Sequence, residues 1–152
     1  MPTIHATKEQ LKRIGSFDTA NYVTFDTETT GLDRKTDEVL ELAIVDSVGN
    51  VLFNQRFKPT RHTTWTDAQK KHGITPSDVM HEPTINYYAQ TISQILESAN
   101  LIVGYNLEFD LSMLAANGVI VNNPRRFDLM LEYAPVYSAE WLDWKNDYKW
   151  VK

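Results

Sequence analysis

The chain has 152 residues, 42% hydrophobic and 23% charged, with a formal net charge of −5 and no cysteine. That length suits one domain with a sizeable core, while disulfides, thiolate metal sites and a broad basic surface for gripping duplex are excluded. No apolar run is long enough to span a membrane and no basic-then-apolar leader opens the chain, so no membrane contact is expected; lack of cysteine fits a reducing, cytoplasmic setting.

Ile4, Leu11 and Ile14 among Lys and Glu predict a weak helix over 4–14, stopped by Gly15. Tyr22 to Thr27 is β-branched and aromatic and reads as the first strand. Two further strands, 39–45 and 51–57, are joined through Ser47 to Asn50 as a hairpin. A helix over 64–72 is expected to start with a Thr64–Asp67 capping box and to stop at Gly73. Thr75-Pro76-Ser77-Asp78 is a second helix start, with Thr as cap and Pro at the first position. Ile85, Tyr88, Ala89, Ile92, Ile95, Leu96 and Ala99 form one helical stripe over 84–98. A short buried strand at 101–104 follows, then a helix over 106–116 for which Asn106 is the expected cap. Residues 126–129 read as a fifth strand leading into a helix near Leu131, and Trp141, Trp144, Tyr148 and Val151 fall at helical spacing. A hairpin followed by alternating helix and strand predicts an α/β fold: a five-stranded mixed sheet with helices on both faces.

Two stretches carry chemistry. In Phe25-Asp26-Thr27-Glu28-Thr29-Thr30-Gly31-Leu32 the acids are two apart, so on a strand both point to one face. Like charges side by side are costly unless neutralised, and hard divalent cations such as magnesium prefer carboxylate oxygens. In Gly104-Tyr105-Asn106-Leu107-Glu108-Phe109-Asp110, Asp110 falls in the first turn of a helix that starts at the carboxyl end of a strand. Ligands bind at such ends in open α/β sheets, and neighbouring strands there would bring Asp26, Glu28 and Asp110 together.

Taken together these residues resemble the DnaQ-like 3′–5′ exonucleases of the DEDD superfamily, whose fold is of ribonuclease H type. Residues 25–32 match the first exonuclease motif. Residues 104–114 match the second, with Tyr105 at the usual His. His72-Gly73-Ile74-Thr75 is similar to a segment of the proofreading epsilon branch, and Phe127-Asp128-Leu129 to the family's fifth-strand Asp-Thr-Leu. The likeness implies that Asp26, Glu28 and Asp110 are three of four acids holding two magnesium or manganese ions. It further implies that Thr29, Thr30, Gly31, Leu32, His72, Asn106 and Phe109 contact the terminal nucleotide. The implied substrate is a single-stranded 3′ end of DNA or RNA, and the implied partner a DNA polymerase subunit. The family's third motif, His-x4-Asp or Tyr-x3-Asp, is missing: no histidine follows Asp110, and Tyr133, Tyr137 and Tyr148 lack an Asp four residues on. Two readings stay open. The favoured one is a single exonuclease domain over 1–152 that lacks its C-terminal helices; the other is an inert module that binds a nucleic-acid end or a polymerase.

Overall fold

The computed structural model describes residues 21–133, 141–142 and 147–148, so the predicted helix at 4–14 lies outside the described residues. In Val23–Thr29 (β1), buried Val23, Phe25 and Thr27 alternate with exposed Thr24 and Asp26 and half-buried Glu28. The strand therefore packs through one face, and both acids of the first motif stand on the other. Val39–Asp46 (β2) and Val51–Arg56 (β3) form the expected antiparallel hairpin. At its turn the Asp46 carboxylate accepts from the N–H groups of Val48 and Asn50, and Gly49 takes a φ of 91°.

Thr66–His72 (α1) begins one residue after Trp65, which makes no side-chain cap. The Thr64–Asp67 capping box does not form: Trp65 is 5% exposed with its indole N–H donating to Ile74 O, and Asp67 pairs with Lys70 instead. Burial of the large ring decides where the helix starts. Gly73 ends it at a φ of 78°, and Pro76–Val79 (α2) opens on the expected Thr75–Asp78 capping box. The stripe at 84–98 is a 3₁₀ turn over Ile85–Tyr88 followed by Ala89–Ser98 (α3). Tight first turns of this kind are frequent at helix starts, and here Tyr88 packs edge-on to Phe53. Ile102–Gly104 (β4), Leu107–Ala116 (α4), Arg126–Asp128 (β5) and Leu129–Tyr133 (α5) complete the α/β unit.

The sheet runs β3-β2-β1-β4-β5, with β1 antiparallel to β2 and parallel to β4, and β4 parallel to β5. It is the expected five-stranded mixed sheet. Val23, Phe25, Leu42 and Ile44 pack against Ile92 and Leu96 of α3 and Leu111 and Leu114 of α4. Ile92 and Leu96 are fully buried, each worth about 1.5–3 kcal/mol over exposure. The register of β1 on β2 slips between Glu28 and Thr29, where Leu40 is the extra residue. Leu40 joins a separate small core of Trp65, Ile74 and Val79. This irregularity lies beside the first motif, as bulges near functional sites often do.

The apolar spacing near the C-terminus does not make a helix at 141–142 and 147–148. These residues pair as two antiparallel strands, Trp141–Leu142 (β6) and Asp147–Tyr148 (β7), with Trp141 opposite Tyr148. Aromatic residues favour strands, and so short an apolar pattern fits either state. Trp144 and Val151 lie outside the described residues.

Candidate active site

The adjacency that the site needs is present: β1 and β4 are parallel neighbours, and α4 starts where β4 ends. Asp110, in the first turn of α4, is only 6% exposed, and Thr27 Oγ1 donates to its Oδ1 at 2.5 Å. Burial raises the Asp110 carboxyl from the ordinary 3.8 to about 6; the Thr27 bond works against this rise and the nearby Asp26 charge adds to it. Glu28 is raised as well, by burial first and then by the Asp26 and Glu41 charges, against a lowering by His72. Asp26 is the electrostatic neighbour that Glu28 and Asp110 share. The Asp26 charge therefore bears on both of the other acids of the candidate site. Among the described residues no three His, Cys, Asp or Glu side chains form a ready-made metal cage.

Asn106 occupies the cap position of α4 without capping by its side chain. It has a φ of 59°, the one positive φ among the described non-glycine residues. Asp128, at the end of β5, does the capping: its carboxylate accepts from Asn106 N–H at 3.0 Å and Leu107 N–H at 2.7 Å. A left-handed residue aims its side chain away from the helix start, and a carboxylate suits the positive helix end better than an amide.

A cleft of about 580 Å³ opens beside the acids, lined by Thr27 to Leu32, Asp37, Phe109 and the α1 face from Trp65 to His72. Of the residues expected at the terminal nucleotide, Thr29, Thr30, Gly31, Leu32, His72 and Phe109 line it and Asn106 does not; of the three acids, Glu28 lines it and Asp26 and Asp110 do not. The hydroxyls of the threonine pair turn inward. Thr29 Oγ1 donates to Gly31 O at 2.6 Å, and Thr30 Oγ1 donates to Asp37 at 2.8 Å while accepting from Glu38 N–H. A Cβ on Gly31 would overlap the Asp37 carboxylate. His72 is a brace: Ile74 N–H donates to its Nδ1, leaving Nε2–H to donate to Thr29 O at 3.1 Å. Leu32, 75% exposed, and half-buried Phe109 supply the apolar surface, with the Arg34 guanidinium 5.8 Å from the Phe109 ring centre.

Sequence reading missed what holds the Thr29–Leu32 loop. Asp37 ties Thr30 and Asp33 N–H together and lies 3.4 Å from His62 Nε2. Glu38, 4% exposed, accepts from Thr60, Arg61 and His62 backbone N–H groups and faces His62 Nδ1 at 2.9 Å. No local pattern announces contacts between residues more than twenty positions apart. Thr27 stands between the two acids of the motif, yet no local pattern shows that it binds Asp110, 83 residues away.

The family model described as exonuclease matches residues 23–129. An uncharacterized exonuclease, CP81, of Escherichia phage 186 is 30% identical over 137 residues, covering 84% of this chain and 68% of that protein. The DNA polymerase III epsilon subunit of Buchnera aphidicola is 26% identical over 104 residues, covering 63% of this chain and 44% of its own length. In fold, the chain is similar to a structure of exonuclease I without ligand, with a TM-score of 0.68 and 17% identity, over 85% of this chain and 34% of the other. The chain thus spans about a third of the exonuclease I polypeptide and less than half of epsilon. With motifs, sheet order and family match in agreement, the chain belongs to the exonuclease family, of the DnaQ-like DEDD type.

Proposed function

We propose that this chain is a metal-dependent 3′–5′ exonuclease domain that takes a single-stranded 3′ end of DNA or RNA and hydrolyses its terminal phosphodiester. The observation that carries this reading is the buried Asp110 carboxylate, tied to β1 through Thr27 and destabilised as an anion by burial and by Asp26. A cation would relieve that cost. The donors are all carboxylate oxygens, which suits magnesium or manganese. Asp26, Glu28 and Asp110 would hold two such ions, which when bound supply Lewis acidity to an in-line attack by water.

The chain's own side chains do the rest. Leu32 and Phe109 offer apolar surface to the terminal base, the Asn106 amide does not cap its own helix, and His72 keeps the Thr29 carbonyl in place. E. coli exonuclease I has been solved with a dA16 oligonucleotide, and a single strand is the substrate assigned here on that likeness in fold. Association with a polymerase subunit belongs to the same proposal, supported by the likeness to epsilon.

No histidine follows Asp110, and the ring nitrogens of His62 and His72 all face protein partners. No described residue is therefore assigned as the general base, a group worth about 10²–10⁴-fold. The second reading is a module that binds a nucleic-acid end without cutting it, and one assay separates the two. A 5′-labelled single strand with protein in excess and manganese present is expected to shorten slowly from its 3′ end. Asp26→Ala and Glu28→Ala should each remove that cleavage. Trimming from the 5′ end, or cleavage that survives Asp26→Ala, would sink the proposal; nucleoside monophosphate binding with no cleavage at all would establish the binding module.

A further inference from the structure

Asp128 does not line the cleft and is not one of the three acids, yet it bonds the turn that carries Asn106 and leads to Asp110. In the parallel ladder Gly104 sits opposite Asp128, so the end of β5 is level with the turn that leaves β4. That turn is tight. A Cβ on Gly104 would approach Leu107 Cδ1 to 2.7 Å, and Asn106 is left-handed at a φ of 59°. Asn tolerates this conformation better than other non-glycine residues, and here its surroundings fix it there. Here both N–H groups of the turn, those of Asn106 and Leu107, donate to the two oxygens of the Asp128 carboxylate, and Met130 N–H donates to Oδ1 from the other side.

Two consequences follow. The Asn106 side chain is released from the capping bond that an Asn in this position usually makes; no hydrogen bond of its amide is found among the described residues, and it is half-buried. The start of α4 is also pinned, which sets the height and rotation of Asp110 three residues further on, where Thr27 meets it. We infer that Asp128 is a positioning residue of this site, which caps α4 in place of Asn106 and so presents the Asn106 amide to a ligand and the Asp110 carboxylate to a divalent cation. The inference rests on the active-site reading given above.

The test compares wild type, Asp128→Asn and Asp128→Asn/Asn106→Gly in the full chain, using manganese alone and then manganese with a nucleoside monophosphate. Backbone amide exchange and thermal melting are read on the same samples. Asp128→Asn is expected to lose protection at Asn106 and Leu107 and to bind manganese about ten-fold more weakly while still folded, as loss of an orienting partner does. Glycine adopts the left-handed turn without strain, so the double variant should recover most of the manganese affinity. It should still bind the monophosphate weakly, because the amide is gone. A lower melting temperature with unchanged manganese and monophosphate affinities would overturn the inference, since Asp128 would then be structural only. If Asp128→Asn folds only with the added glycine, the capping role is supported; if neither folds, Asp128 is general core support and the inference is overturned. Wild type that takes up no manganese would refute the active-site reading itself, and this inference with it, before any variant is compared.

Discussion

Asp110 has the least water-like surroundings of the three acids, and its protonation couples to folding. Its folded-state value is about 6 against an ordinary 3.8, so the folded chain holds the proton more tightly than the unfolded one. The stability this lends is complete below about pH 4 and is lost as pH rises through 6. In metal-free buffer, urea titrations should show wild type losing on the order of 2 kcal/mol across that window. Asp110→Asn should flatten most of the loss, leaving the smaller contribution of Glu28, which has the same sign. An equal loss in the variant would place the pH dependence elsewhere. Gly31 matters at this scale through size rather than φ: a Cβ there would meet the Asp37 carboxylate that holds Thr30 and Asp33. Gly31→Ala should weaken monophosphate binding and cost about 1–3 kcal/mol; a calorimetric titration showing wild-type affinity would mean the loop adjusts freely.

Between elements, Glu38 is the principal fastener. It ties the start of β2 to residues 60–62, and its carboxyl is held at about 2. Burial alone would raise it, but the bonds from Thr60, Arg61 and His62 outweigh burial. The sign is opposite to that of Asp110: the contribution is complete above pH 4.5 and lost as pH falls toward 2. Glu38→Gln turns an amide NH₂ toward backbone donors, and should cost about 1–3 kcal/mol at pH 7. Chemical denaturation at pH 7 and at pH 3 checks this, since the gap between variant and wild type should narrow at the lower pH. The strands and the hairpin were legible in the sequence because alternation and turn chemistry are local. The side-chain caps expected from Thr64 and Asn106 do not form, because a buried Trp65 and a carboxylate from β5 outweigh local preference.

For the whole molecule, a cation that binds only the folded state raises the melting temperature by mass action. Manganese should therefore stabilise wild type and do much less for Asp26→Asn, the neighbour shared by both other acids; equal shifts in a melting series would reject the common site. No described helix is long and apolar enough to cross a membrane. What the sequence by itself determined was the class of fold, the order of the elements from β1 to α5 and the family, because periodicity and short motifs are properties of neighbouring residues. Only the tertiary structure decided how those parts are held: which face of β1 is open, that Thr27 clasps Asp110, that His72 braces Thr29, and that Asp37, Glu38 and Asp128 fasten the loop and the helix. The Thr27–Asp110, His72–Thr29, Glu38–Thr60 and Asp128–Leu107 contacts join residues more than twenty positions apart, and their pairing depends on strand register and burial, which exist only once the sheet has formed.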